Sequence, residues 1–336
     1  ETGLGEREFR IEGNKAWFAV RRRREADRKE KLELVEAHFE GGLEVGGLDG
    51  AILFKAPVLR FDMTRTSFDA PEGMEARSPE GSMRADRVSG SSEREGHLRL
   101  DFVGATEMTY LYVGKGRLGP LARAPEGRIE ISCKRALSVD ADRERQLIAA
   151  SGTIEAELDD NVALRCEQFT LAARKLKEGE EAEQAIEAFS ATGGVKVTDR
   201  TLDTEVSGDS IIREEGRTEL VGSPAVVRAG GDRSVSAKRL SYDDGGNFEA
   251  SGTVRIVSPL DEKAGAGTWT IVCDRAEGHL PEEGPPTKVT AFGPIFAEGP
   301  DGLRIEGSLF EYEARTSKAL LTGNPARFRH GTDLDL

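Results

Sequence analysis

An internal repeat constrains the fold of this chain more than any other feature of its sequence. Each copy holds an apolar residue, a small residue two positions on, a second apolar residue three positions later, and often an aromatic residue followed by Asp or Glu. From residue 54 to residue 305 the copies advance in seven intervals of about 36 residues, so one supersecondary unit is stacked many times. Clear copies begin at Phe54, Ile131, Leu164, Val235 and Ile305, and weaker ones at Met83, Val206 and Ile271.

A glycine unit follows most copies, with an apolar or small residue, a spacer, Gly, a spacer, and then Val, Ile or Pro. A glycine inside a strand lets the strand bend or lets a neighbouring backbone approach closely. We therefore interpret the repeated glycine as structural, while a place in the wall of a ligand site stays the alternative. The glycines are Gly152, Gly193, Gly222, Gly252, Gly293 and Gly323, with Gly104 as a looser member.

Apolar residues alternate with polar ones inside each copy, which is typical of strands with one buried face. Two spacers break the alternation, as between Ala237 and Leu240, and predict a bulge that turns the strand and keeps both halves facing inward. The turn residues 243–246 predict a hairpin between the two units. The sequence thus predicts an all-β chain of short antiparallel strands whose inward side chains form one apolar groove. The positions predicted to line it are Phe54, Leu59, Phe61, Leu164, Phe169, Val206, Val235, Leu240, Tyr242, Phe248, Val254, Ile256, Ile271, Ile305, Phe310 and Tyr312.

Charge and motif content narrow the possible functions. The net charge of −14, from 47 basic and 61 acidic residues, argues against nucleic-acid binding, which needs a basic surface. The four histidines have no metal-type spacing, and no nucleophile or phosphate-loop motif predicts a catalytic site or a cofactor. No apolar run approaches the roughly 18 residues of a membrane-spanning helix. These patterns predict a protein that is not an enzyme, with no metal and no cofactor.

The three cysteines, Cys133, Cys166 and Cys273, occupy the small-residue position that holds Ala or Gly in other copies. This equivalence predicts packed, inward-facing thiols. A bridge between Cys133 and Cys166 on adjacent copies is the alternative, which the geometric demands on a disulfide disfavour.

The repeats resemble the OstA-like family of lipopolysaccharide-transport proteins, which includes LptA, LptC and the N-terminal domain of LptD. The resemblance is carried by the strands from Ala56 to Asp62 and from Ala237 to Asp243, and by the glycine units from Leu220 to Pro224 and from Ala250 to Val254. Residues 31–113 resemble an LptC-like module, and residues 129–336 resemble LptA-like repeats. A Gly/Pro-rich junction at 114–128 divides the two, after an N-terminal segment at 1–30.

The resemblance implies an elongated, open, V-shaped β-jellyroll that holds acyl chains between two sheets. It implies a periplasmic bridge protein that moves or holds lipopolysaccharide or another acyl lipid. It leaves open a membrane anchor in a segment outside this sequence. Its partners would be other envelope β-jellyroll proteins, joined by edge-strand addition, or further copies of itself. The alternatives are a non-enzymatic scaffold with a dry core and a β-helix enzyme acting on polysaccharide. The β-helix reading needs stacked carboxylates, and the acidic residues here do not stack at equal phase.

Overall fold

The chain folds almost entirely into antiparallel β-sheet, as the computed structural model shows. The only helical element among the described residues is a single 3-10 turn, Pro300–Gly302. The chain divides into two compact units, of residues 1–115, 125–159 and 168–186 and of residues 116–124, 160–167 and 187–336. The structure describes residues 9–24, 30–47, 53–78, 81–92, 97–112, 116–117, 123–124, 127–142, 145–158, 161–174, 186–230, 233–259, 267–279, 287–313, 315–316 and 318–329.

The first unit is a sheet in which most strands pair with the strand that follows them. Its strands are β1 (Phe9–Glu12), β2 (Lys15–Arg24), β3 (Glu30–Gly47), β4 (Leu53–Asp62), β5 (Ser67–Ala70), β6 (Met74–Ser78), β7 (Gly81–Ser91), β8 (Leu98–Tyr112), β11 (Gly127–Cys133), β12 (Ala136–Ala141) and β13 (Arg145–Leu158). Where a strand is interrupted at its middle, its two halves share the same neighbours: β5 and β6 both lie between β4 and β7, and β11 and β12 both lie between β8 and β13. The short strands β9 (Gly116–Arg117) and β10 (Arg123–Ala124) belong to the second unit and pair with each other. Strand β14 (Val162–Arg174) contributes residues to both units.

The long strands of the second unit form an antiparallel meander. They are β15 (Ile186–Asp199), β16 (Thr204–Glu214), β17 (Arg217–Ala229), β18 (Arg233–Asp243), β19 (Asn247–Pro259), β20 (Thr268–His279), β21 (Lys288–Glu298) and β22 (Arg304–Glu313), followed by the shorter β23 (Lys318–Thr322) and β24 (Arg327–Arg329). Each strand from β15 to β22 pairs with the next. Strand β22 then pairs with both β23 and β24.

A break in register near the middle of the long strands is the recurring feature of both units. On β18 the register with β19 shifts between Ser236 and Arg239, which confirms the bulge predicted between Ala237 and Leu240. Equivalent shifts occur in the pairs β3–β4, β7–β8 and in every consecutive pair from β15–β16 to β21–β22. Each strand therefore has two straight halves joined by an irregular segment.

The repeated glycines lie at these irregular segments. Five of them have a left-handed backbone that L-residues avoid, with φ between 80° and 95°: Gly104, Gly152, Gly193, Gly252 and Gly293. Gly222 and Gly323 instead stand two residues before a proline that follows a cis peptide bond. The structural interpretation of the repeated glycine is thus confirmed at the five positions with positive φ.

An aspartate at the end of a strand accepts hydrogen bonds from the hairpin turn that follows it at three places in the chain. The Asp243 carboxylate accepts hydrogen bonds from the backbone N–H of Asn247 at 2.9 Å and from its side-chain amide at 3.0 Å, at the turn predicted for residues 243–246. The carboxylate of Asp62 accepts the backbone N–H of Thr64 at 2.9 Å, and that of Asp199 accepts the N–H of Thr201 at 2.8 Å. Such local hydrogen bonds are the reason that Asp favours turns.

The hydrophobic core of the second unit lies where the two strand halves meet. One buried cluster contains Ala250 and Val254, which flank Gly252 on the same strand, together with five further buried residues. Because residues on both sides of the bulge pack into one cluster, the two halves of the strand turn their apolar sides toward a common interior. The five are Ala237, Cys273, Ala276, Ala291 and Ile295.

Candidate functional site

An uninterrupted row of apolar side chains crosses the second unit on one side of the bulges. Its members lie directly opposite one another on successive strands, from β15 to β22 and on to β24. We call it the valine-isoleucine row: Val197, Val206, Val227, Val235, Ile256, Ile271, Ala297, Ile305 and Phe328. Cross-strand neighbours at this spacing are in contact, so the row forms one apolar stripe perpendicular to the strands.

A second row crosses the same strands on the other side of the bulges. We call it the leucine-alanine row: Ala191, Ile211, Leu220, Leu240, Ala250, Ala276, Ala291, Phe310 and Leu321. Two residues further along the strands, Tyr242 lies opposite Phe248, and Val289 lies opposite Tyr312. Aromatic side chains thus border this row on the side away from the bulge.

Burial decreases with distance from the bulge. Val254 is fully buried, and Cys273 and Ile295 are only 2% exposed, so the interior at the bulge is packed by the protein's own side chains. Beyond it, many apolar side chains stay partly accessible on the same face. Half-buried are Val235, Leu240, Tyr242, Phe248, Ile256, Ile271, Ile305, Phe310 and Tyr312. The chain itself therefore covers this apolar face incompletely.

The first unit repeats the arrangement with more aromatic residues. One row runs through Phe18, Ala37, Phe61, Phe68, Gly90, Leu100, Val139 and Ile148. On the other side of the bulges a row runs through Phe54, Ala76, Met83, Met108, Ile131 and Ala156.

Ring contacts connect the aromatic side chains of β2 to β5. Phe39 meets Phe18 edge-on with ring centroids 5.8 Å apart, and it meets Phe61 edge-on at 6.2 Å. Phe61 and Phe68 stand 6.3 Å apart. Aromatic pairs in this range attract each other beyond their burial, so these rings support one another along the face.

The predicted groove residues divide into a packed group and an accessible group. Leu59, Val206 and Val254 are buried in the core, where no ligand can reach them. The other predicted positions are half-buried; Leu164 and Phe169 lie on β14, and the rest belong to the rows just described and their aromatic border. The groove positions predicted from the sequence did not include Phe18, Phe39 and Phe68, because their strands match the repeat poorly. The alternation of apolar and polar residues around Phe39 was the one signal that could have placed it on the apolar face.

The opposite face of the strands carries ion pairs. The Glu205 carboxylate lies 2.8 Å from both the ammonium of Lys196 and the guanidinium of Arg228. The hydrogen bond from Lys196, with the positive charge of both partners, lowers the pKa of Glu205 despite some desolvation. Glu249 is bound in the same way by Arg275, at 3.0 Å. This face is therefore compatible with water, in contrast to the apolar face.

The three cysteines are buried and not bridged to one another. Burial raises the pKa of the Cys133 thiol, and burial together with the charge of Asp274 raises that of Cys273 to about 11. Packed, protonated thiols agree with the predicted small-residue role and remove the alternative of a Cys133–Cys166 bridge. Within the described residues, no group of three or more His, Cys, Asp or Glu side chains is placed to hold a metal ion.

The fold and this face define an antiparallel all-β repeat protein with continuous apolar rows on one side of its strands. No protein-family model, curated protein or solved structure matches the chain. None of the helical residues in the described part of the chain forms a segment able to cross a bilayer.

Proposed function

We propose that this protein holds acyl lipid against its apolar face and is not an enzyme. The observation that carries the proposal is the pair of uninterrupted apolar rows whose outer members are half-buried. Hydrocarbon that covers such side chains gains about 0.8 kcal/mol for each CH₂ removed from water. Because this attraction has no direction, a chain can shift along the row without breaking specific bonds.

The resemblance to the OstA-like family supports lipopolysaccharide as the lipid and the periplasm as its location. The acidic net charge places the attraction on the acyl chains, since a negative protein gains little from a phosphorylated headgroup. Partner proteins of the same architecture would join by strand addition at β2, which among the described residues pairs only with β3.

Site-specific photo-crosslinking tests the proposal without disturbing the core. Benzoylphenylalanine is placed singly at Phe248 or Tyr312, which are half-buried on the apolar face outside the packed cluster. The matched control is Phe296, an exposed phenylalanine on the ion-paired face. The purified full chain is irradiated with lipopolysaccharide and, separately, with dipalmitoyl phosphatidylglycerol vesicles. Lipid adducts at positions 248 and 312, with several-fold fewer at 296, are expected. Adducts that are absent, or equal at all three positions, would contradict the proposal.

A charge at the same positions gives a second test. Tyr312→Asp should abolish co-purification of lipopolysaccharide, because a carboxylate on the apolar face must lose its hydration when acyl chains bind. Phe296→Asp is the control that should bind normally. Circular dichroism spectra of both variants establish that the sheet is retained.

A structural scaffold with a dry core is the second candidate, and the fully buried Ala, Cys and Val side chains at the bulges favour it. Native mass spectrometry separates the two. Bound lipid mass on the gently purified protein supports lipid binding, whereas a bare chain with concentration-dependent oligomers supports the scaffold.

A further inference from the structure

A groove of about 490 Å³ lies in the first unit, between two lines of polar residues on the ion-paired face. Its floor is one cross-strand line on strands β2, β3, β4, β5, β7 and β8, made of Trp17, His38, Arg60, Asp69, Ser89 and Asp101. Successive residues of a strand point to opposite faces. Phe61 and Phe68 are also among the residues that line the groove, although by this alternation their side chains, like that of Phe18, belong to the apolar row on the other face.

One aromatic ring stands at the end of this polar line. Trp17 is 41% exposed although its indole contacts His38 with ring centroids 4.1 Å apart. The ammonium of Lys15 lies 5.1 Å from the indole centroid and 4.0 Å from the Glu40 carboxylate, and that side chain is itself largely exposed. The groove thus offers a flat apolar platform beside hydrogen-bonding groups.

The carboxylates of the groove are mostly neutralised where they stand. Asp69 lies 3.3 Å from the guanidinium of Arg87, and Asp101 lies 3.0 Å from that of Arg99. Asp62 accepts backbone hydrogen bonds in its own turn. The groove therefore has little uncompensated negative charge to attract a cation, and its four acidic residues, Glu36, Asp62, Asp69 and Asp101, disfavour an anion.

Several polar groups in the groove still have capacity to bind. Arg60 forms no ion pair with the described part of the chain, and the hydroxyls of Ser67, Ser89 and Ser91 border the same space. Unmet donors and acceptors beside an aromatic platform suit a ligand rich in hydroxyl groups.

We propose that this groove binds a neutral saccharide chain, with one sugar ring against Trp17 and its hydroxyls bonded to Arg60 and the serines. Six strands at a spacing of about 4.8 Å make the line roughly 24 Å long, which suits several linked sugars. The proposal does not depend on lipid binding, since the polar side chains of the groove and the side chains of the apolar row lie on opposite faces of the strands.

Titration of the full chain with neutral oligosaccharides tests the proposal. The probes are maltohexaose, cellohexaose and chitohexaose, followed by isothermal calorimetry and by tryptophan emission in a Trp269→Phe background, which leaves Trp17 as the single tryptophan. Saturable binding of at least one probe is expected, with a tenfold or greater loss of affinity in Trp17→Ala. The control is Phe328→Ala, which removes an equally exposed aromatic ring from the second unit.

Three results would overturn the proposal. They are no binding of any probe at millimolar concentration, equal binding by Trp17→Ala and the parent chain, and binding of tetramethylammonium or inorganic phosphate in place of the sugars. Ser89→Ala serves as a second variant that leaves the fluorophore intact and should weaken binding two- to fivefold.

Discussion

Gly252 on β19 lies directly against Lys238 on β18: a Cβ atom at position 252 would stand only 2.8 Å from the Cβ of Lys238. The same relation joins Gly193 to Glu167 and Gly293 to Asp274. At Gly104, Gly193, Gly252 and Gly293 the glycine therefore makes room for the side chain that follows the small residue on the neighbouring strand. This close approach holds the bulge on which the common interior depends.

Gly252→Ala should lower the free energy of unfolding by about 2–3 kcal/mol, because it adds both a left-handed strain and a steric overlap. Gly194 has the left-handed backbone (φ 64°) but open space around it, so Gly194→Ala should lower the free energy of unfolding by about 1 kcal/mol. Gly230 has neither the left-handed backbone nor a close neighbour, so Gly230→Ala should leave the free energy of unfolding nearly unchanged. Urea denaturation measures the free energy of unfolding of the three variants. Equal decreases in all three would show that the contact with Lys238 is unimportant.

Ile295→Ala should destabilise the chain by about 2–4 kcal/mol, because it opens a cavity in the packed interior at the bulge. The next residue, Phe296, points to the other face and is 53% exposed, so Phe296→Ala should change stability by less than about 0.5 kcal/mol. Thermal unfolding of the two variants decides whether the alternation of faces holds along β21. A larger effect at 296 than at 295 would reverse the assignment.

Asp243→Ala should cost about 1 kcal/mol at pH 7, since it removes the carboxylate that accepts the Asn247 hydrogen bonds. Those hydrogen bonds lower the pKa of Asp243 in the folded chain, so its contribution is complete above the unfolded pKa and is lost as the pH falls through the lowered value. The difference in unfolding free energy between the parent chain and Asp243→Ala should therefore shrink toward acid pH. Asp243→Asn keeps a hydrogen-bond acceptor without the titrating carboxylate and serves as the control. If the difference between the parent chain and Asp243→Ala did not change with pH, the ionised carboxylate would not be what stabilises the turn.

The three thiols should not react with Ellman's reagent in the native chain at pH 8, because all are buried and the pKa of Cys273 lies near 11. Three equivalents should react within minutes in denaturant. Rapid native labelling of even one thiol would show that the interior at the bulge opens readily, and single Cys→Ala variants would identify which.

Several structural features could be predicted from the sequence alone. The alternation at 248, 250, 254 and 256 predicted one apolar face, and those residues do share the interior and its border. The break between Ala237 and Leu240 predicted the bulge, since only an irregularity keeps both flanking residues on one face. The predicted division at 114–128 stays a prediction, and β11 to β13, which follow it, belong to the first compact unit.

What the sequence could not predict is which apolar residues the chain would cover. Val254 and Ile256 have the same character and phase, yet one is fully buried and the other half-buried, because burial depends on distance from the bulge and on the strands opposite. The polar groove around Trp17 could not be predicted from the sequence either, since six strands from different parts of the first unit supply its residues. The alternation of apolar and polar residues is a local property that the sequence alone determines. The accessibility of a side chain depends on which strands become neighbours, and only the tertiary structure decides that.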